Sequence, residues 1–297
     1  MKIIIAGSNG FIGSHLNSYF ENRGCELVLL SRNPNRINSY FWDPETNQID
    51  SSLLEGADVV INLSGEGIFG RWGEKKKTQI RESRLVATQF LCNTLLNLKL
   101  PPKLYVGASA IGYYGDRSDE VLVESSTPGH DFLAEVCTAW EGAAGILKQK
   151  NIRVVFSRLG IVLGRDGGTL KYIEKAFSSG MGGILGSGKQ IMSWIAIDDV
   201  CHAMQHIIDH SEMEGGVNFT APHPVSNLEF TQEIGKLLNR PTLVPVPKFA
   251  LTMLFGEGAH IFLSSTNAYP ERLLKSGYQF HYPSLEGALK KYLHINV

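Results

Sequence analysis

Three glycines spaced to receive a phosphate open this chain: Gly7, Gly10 and Gly13, in the run Gly7-Ser8-Asn9-Gly10-Phe11-Ile12-Gly13. Gly7 permits a tight turn, Gly10 lets the backbone approach a pyrophosphate with no Cβ in the way, and Gly13 lets a helix pack close on a strand. The first N–H groups and the positive dipole end of that helix then face the anion. Flanking residues supply the context this chemistry requires. Residues 1–6 are a short apolar, β-branched run that reads as a buried parallel strand. After the glycines Phe11, Leu16 and Phe20 fall on one helical face, with His15, Asn17 and Glu21 on the other.

A second strand-like run at residues 25–30 leads into Ser31-Arg32. A carboxylate at this point, about 20 residues beyond the glycines, would accept hydrogen bonds from an adenosine ribose 2′-hydroxyl. A hydroxyl and a guanidinium stand there instead, which suit a 2′-phosphate, so NADP is the expected cofactor.

The elements that must position these residues alternate. Strand-like runs at 57–63, 103–109 and 153–159 are separated by helical stretches around 82–98 and 135–150, the first of them stopped by Pro101-Pro102. The expected fold class is therefore α/β, a doubly wound parallel sheet of Rossmann type with right-handed crossovers. Ligands bind such sheets beyond the carboxyl ends of the strands. That rule singles out Leu63, Ser64 and Gly65, residues 109–115, and residues 160–164. Arg84, on the helix after that loop, either reaches the cofactor or lies exposed in a salt bridge. Past residue 164 glycine clusters and proline-punctuated short elements replace the alternation. We expect an NADP-binding core over residues 1–164 and mainly a smaller C-terminal substrate lobe over 165–297, with one strand near 217–220 returning to the core sheet.

With 297 residues, 43% of them hydrophobic, and a net charge of −1, the chain reads as a soluble globular protein with a substantial core. No basic stripe interleaved with aromatics is present, so nucleic acid is not an expected partner. No stretch reaches the length of a membrane span, and the first residues enter a strand without a signal-peptide pattern. Cys25, Cys92, Cys137 and Cys201 are scattered, with no metal-ligand spacing, as befits a reducing cytoplasm. His202 and His206 lie four apart on a helix without an evident third ligand, so no zinc site is expected. Asp198-Asp199 either orders the C-terminal lobe or caps a helix beginning near Val200. Lys189 and Arg158 are the charges best suited to an anionic substrate.

The glycine run, Asn62-Leu63-Ser64-Gly65, the segment ending Tyr113-Tyr114-Gly115, and Trp194-Ile195-Ala196-Ile197-Asp198-Asp199-Val200 together resemble the extended short-chain dehydrogenase/reductases of the nucleotide-sugar epimerase type. The resemblance spans nearly the whole chain. It is closest to a nucleoside-diphosphate-sugar epimerase branch whose tail is similar to Pro245-Val246-Pro247 through Gly256-Glu257 to Gly277-Tyr278. It implies hydride transfer on a carbonyl or a nucleotide-linked sugar, with a tyrosine four residues before a lysine moving the proton.

No tyrosine of this chain has a lysine at that offset. Cys137 occupies the tyrosine position and Glu141 the lysine position, while the usual serine falls on Ala110, beside Ser109. A glutamate cannot take over the lysine's electrostatic part. Candidates for proton transfer are then Ser109, Tyr113, Tyr114 and Cys137. Two functions follow from this departure: an atypical NADP-dependent epimerase or carbonyl reductase, or a catalytically silent protein that holds NADP(H) as a sensory or structural ligand.

Overall fold

The computed structural model describes residues 1–293 apart from Asn35, Asp166, Met181, Leu243 and Val244. The glycine clusters at 164–168 and 180–188 and the proline-rich run at 241–247 therefore lie partly outside the described residues. Eight strands make the main sheet: β1 (Lys2–Ala6), β2 (Glu26–Ser31), β3 (Ser39–Asp43), β4 (Gln48–Ile49), β5 (Val59–Asn62), β6 (Leu104–Ala110), β7 (Arg153–Leu159) and β8 (Gly215–Phe219). Their spatial order is β8-β7-β6-β5-β1-β2-β3-β4. Every pairing is parallel except the β3–β4 edge hairpin. The chain leaves β1 toward one edge and returns through β5 toward the other. The strand order thus reverses between β1 and β5, where the carboxyl ends open a crevice.

Ten α-helices are described: α1 (Phe11–Glu21), α2 (Glu74–Leu96), α3 (Phe132–Ala143), α4 (Gly168–Ser178), α5 (Ile197–Asp209), α6 (Asn227–Leu237), α7 (Lys248–Phe255), α8 (His260–Leu263), α9 (Glu271–Lys275) and α10 (Leu285–Tyr292). Strand alternation feeds two cores. Ile3, Ile5, Leu27 and Leu29 pack with α1 and α5 on one face, whereas Ile4, Val28 and Leu30 pack with α2 on the other. Apolar residues at both parities are what a sheet covered on both faces requires.

Helix α2 begins at Glu74, well before 82, because Gly73 precedes it in an extended conformation with no side-chain cap to announce the start. Helix α3 stops at Ala143, between Gly142 and Gly145, and a 3₁₀ turn completes the expected stretch to Lys150. Among the described residues no helix is long and apolar enough to cross a membrane.

A buried carboxylate on α5 ties down the end of the C-terminal segment. Asp199, in the first turn of α5, is fully buried and accepts from the Tyr278 hydroxyl at 2.8 Å, His281 N at 2.8 Å and Tyr282 N at 2.9 Å. Earlier in the same segment, Trp72 N donates to Phe255 O at 3.1 Å and Lys77 pairs with Glu257 at 2.9 Å, which draws α7 across the loop after β5. Asp199→Ala removes a shared acceptor and strands buried donors. It should lower unfolding stability by about 3 kcal/mol or more in urea titration, with proteolysis of the parent and variant showing earlier cleavage near 276–282 in the variant.

Candidate active site

The glycine run forms the turn between β1 and α1. Gly7 has φ +78°, a conformation that favours glycine, and a Cβ there would stand 2.8 Å from Leu63 C. A Cβ on Gly13 would meet Gly7 O at 2.4 Å, so α1 sits on the turn only because that position is bare. Gly10 is the N-cap and carries no side chain into the space before the first helical N–H groups. Ser8 is buried, with its hydroxyl donating to Leu30 O at 3.3 Å. Phe11 and Ile12 are half-buried, and Phe11 packs beneath Gly164, Gly167 and Gly168.

At the end of β2 Ser31 is buried and Arg32 is exposed. Asn9 donates to the Ser31 hydroxyl at 2.7 Å and to Asn33 O at 3.1 Å, binding the glycine turn to this strand end. The Arg32 guanidinium lies 3.8 Å from Glu45, both side chains largely in solvent, and an exposed pair of that kind contributes little.

Leu63, Ser64 and Gly65 follow β5 and abut the glycine turn. Asn62 fixes them: its Oδ1 accepts from Ser64 N at 3.1 Å, and its Nδ2 donates to Thr88 at 3.2 Å and the Tyr105 hydroxyl at 3.0 Å. Thr88 also accepts from Trp140 Nε1 at 3.0 Å, so one buried network joins β5, α2, β6 and α3. The Ser64 hydroxyl is buried without a partner among the described residues. Arg84 lies against Gly65, half-buried.

The wall after β6 differs most from expectation. Arg158, only 4% exposed, forms a two-pronged ion pair with Glu141: Nε to Oε1 at 2.9 Å and Nη2 to Oε2 at 2.8 Å. Burial would lower the Arg158 pKa, but the hydrogen bonds and charge of Glu141 outweigh it and raise the group further. Arg158 is therefore not a free cation for an anionic substrate, and that expectation is corrected. Sequence reasoning noted both residues without pairing them.

Three of the four proton-transfer candidates are committed by this arrangement. The Ser109 hydroxyl donates to Glu141 Oε1 at 2.7 Å, so its own proton is taken. Tyr114 is wholly buried, donates to Asn218 at 2.7 Å and accepts from Arg158 at 3.0 Å; burial pushes its phenol up to about 12 despite Arg158. Cys137 is buried, and burial with the nearby Glu141 charge pushes its thiol up to about 12. Tyr113 alone is half-buried with no hydrogen bond from its hydroxyl to a described residue, its ring lying 3.5 Å from the Arg158 guanidinium carbon.

Lys189 is exposed on the loop before residue 191. His202 stacks on His281 at 4.0 Å and His206 on His210 at 3.7 Å. Among the described residues no group of three or more His, Cys, Asp or Glu side chains is placed to hold a metal ion.

Removing one member of a buried ion pair leaves the other uncompensated, which costs about 3–5 kcal/mol. Glu141→Gln and Arg158→Met should each destabilise the fold on that scale in urea titration. The double variant should retain more stability than the sum of the single losses predicts.

Comparison with known proteins places this geometry. Residues 3–219 match the model of the NAD dependent epimerase/dehydratase family, and residues 246–292 match a domain of unknown function. An epimerase family protein of Mycobacterium bovis is 37% identical over 97% of this chain and 96% of its own length. The crystal structure of human epimerase family protein SDR39U1 with NADPH superposes with a TM-score of 0.91 at 34% identity, covering 98% of each chain. A nucleoside-diphosphate sugar epimerase of Corynebacterium glutamicum superposes at 0.81 and 33% identity, over 99% of this chain and 58% of that one. This chain belongs to the NAD dependent epimerase/dehydratase family.

Proposed function

We propose that the crevice binds NADP(H) and that the chain transfers hydride to or from a small carbonyl compound or a nucleotide-linked sugar. The carrying observation is the β1–α1 turn, whose three glycines leave a bare cradle of backbone before the helix N-terminus. The residues present fit the cofactor further. A buried Ser64 hydroxyl beside that turn lacks a partner among the described residues, and Arg32 meets only a distant carboxylate. The human relative was crystallised with NADPH, which supports the same choice here. On this reading Gly7 to Gly13 hold the diphosphate, the backbone of residues 63–65 flanks the adenine and ribose, and Ser31 and Arg32 hold the 2′-phosphate. The chain after residue 164 supplies the substrate side.

NADP(H), when bound, supplies or takes up the hydride, and the substrate oxygen then needs a proton partner. Tyr113 is the group we assign to it, since its hydroxyl is uncommitted while those of Ser109 and Tyr114 are in use. Ser109, with its proton on Glu141, keeps lone pairs free to accept a hydrogen bond from a ligand. Epimerisation and reduction share the first hydride transfer and are not distinguished by these groups. The second reading, a protein that holds NADP(H) without turnover, is favoured by Cys137 and Glu141 standing where the tyrosine and lysine would act, with Glu141 already paired to Arg158.

NADPH should bind at least tenfold more tightly than NADH in a nicotinamide-fluorescence titration, because a charge-assisted contact contributes about 1.5–3 kcal/mol and each 1.4 is roughly tenfold. Arg32→Ala should remove most of the preference, and equal affinities in the parent protein would refute it. A general acid or base typically contributes about 10²–10⁴-fold, so Tyr113→Phe should depress turnover on that scale and leave NADPH affinity unchanged. Tight NADPH binding with no turnover across a panel of carbonyls and sugar nucleotides would favour the second reading.

A further inference from the structure

Four aromatic rings from separate parts of the chain touch one another, and the fold leaves two of them open to solvent. Phe69 lies on the loop after β5, Tyr172 one turn into α4, Phe255 at the end of α7 and Phe262 in α8. Ring centres are 5.5 Å apart for Phe69 and Tyr172, 6.3 Å for Phe69 and Phe262, and 4.9 Å for Phe255 and Phe262. Tyr172 is 62% exposed and Phe69 37%. Rings that pack for stability alone are normally covered, whereas these keep apolar area that a ligand would bury.

Their anchor points bracket the crevice. The loop carrying Phe69 continues from residues 63–65, which abut the glycine turn. Helix α4 starts against Phe11, the first residue of α1, because Gly167 and Gly168 leave room for that ring. Just after α8, Ser265 donates from its N to Asp116 at 3.3 Å and from its hydroxyl to Ser118 O, on the segment that follows β6. The Phe69–Tyr172 contact joins a loop leaving β5 to a helix that comes after β7, with β6 between those strands, so it spans the carboxyl ends of the sheet. Arg71, Lys76 and Lys77, which follow Phe69 on the chain, are engaged: Arg71 with Met253 O, Lys76 with Glu66 and Lys77 with Glu257. Among the described residues no cation, Lys75 and Lys171 included, lies over any of the four rings.

We propose that Phe69, Tyr172 and Phe262 form the specificity surface of this crevice and receive an uncharged aromatic ring bonded to the reacting carbonyl. Offset or edge-on ring contacts contribute beyond the area they bury, and a rigid planar ring loses little conformational freedom on binding. A phosphate-bearing end would meet apolar rings and engaged charges instead. The reaction rests on the hydride-transfer reading above; the ring-binding surface does not. In that reaction the carbonyl carbon accepts the hydride and its oxygen takes the Tyr113 proton, giving an aryl carbinol and NADP⁺, and solvent restores the proton to Tyr113.

The test compares the parent with Phe69→Ala and Tyr172→Ala and with the ring-conserving Phe69→Tyr and Tyr172→Phe. Benzamide, cyclohexanecarboxamide and UDP-glucose are titrated by calorimetry into unloaded and NADPH-loaded protein; the two amides are inert to hydride. Benzaldehyde and propanal are the turnover probes. The parent should bind benzamide more tightly than its non-planar counterpart. Each alanine variant should weaken benzamide by about three- to tenfold and lower the ratio of kcat/KM for benzaldehyde over propanal by a similar factor. The ring-conserving variants should keep the parent values. Failure of the parent to bind benzamide, or unchanged benzamide affinity in both alanine variants, overturns the proposal. Loss of UDP-glucose binding in the alanine variants, with benzamide unaffected, overturns it in favour of a nucleobase seat. Melting temperatures identify a packing role: a stability loss with benzamide bound as in the parent also overturns it. Should the proteins bind benzamide as expected but reduce neither aldehyde, the hydride-transfer reading falls and the titrations alone uphold the ring-binding surface.

Discussion

A carboxylate and a guanidinium placed side by side in the interior must satisfy one another almost completely, because each loses several kcal/mol of hydration on burial. Glu141 and Arg158 meet that demand with two parallel hydrogen bonds, and the lone pairs and protons left over recruit the neighbourhood. Ser109 donates to the carboxylate, and Tyr114 and the Glu124 carbonyl accept from the guanidinium. Tyr113 lies over its face. Tyr114 continues the chain to Asn218, whose amide donates to Tyr269 O at 2.9 Å. One ion pair on α3 and β7 thus orients the exit of β6, reaches β8, and touches the C-terminal segment. The wall of the crevice has little freedom to rearrange one group without the others.

What was legible in the sequence divides along the range of the interactions. The glycine turn is local: the φ of Gly7 and the close approach of Gly13 to Gly7 O are consequences of residues within one turn, so spacing alone exposes them. The core strands were legible because both parities are apolar, which few other structures tolerate. The edge hairpin of β3 and β4 escaped notice because Tyr40 and Phe41 face solvent and only Trp42 is buried, leaving no periodic signature. The start of α2 escaped because nothing caps it.

Glu141 and Arg158 are seventeen residues apart; taken singly, the first reads as the occupant of the lysine position and the second as a charge for an anionic substrate. Only the crossing of α3 over β6 and β7 brings them together. Asp198-Asp199 was legible as a pair that either orders the C-terminal lobe or caps a helix, and Asp199 does the ordering while Ala196 stands at the N-cap. The Asp199 partners Tyr278, His281 and Tyr282 lie in a part of the chain that no local pattern connects to α5. The same range limit explains the proton-transfer candidates. Position after a strand marked Ser109, Tyr113 and Tyr114 as equals, and only hydrogen bonding separated them.

Cys137 and Glu141 at the positions of a tyrosine-lysine pair, with Glu141 bound to Arg158 from β7, alter the electrostatics of the wall as well as its proton inventory. A lysine beside a phenol leaves a net positive charge near the reacting oxygen. Glu141 and Arg158 together leave none, and their fields largely cancel beyond a few ångströms because the charges are in contact. A substrate oxygen gaining negative charge here would draw stabilisation from dipoles and from cations placed elsewhere on the crevice. Those cations are Arg32 at the outer end, exposed and weakly paired, and Arg84 against Gly65. The positive charge thus lies at Arg32 and Arg84 and not on the wall after β6. On the proposed reading such a site would polarise a carbonyl weakly, and hydride transfer in it would favour a substrate whose carbonyl is already activated by its own substituents.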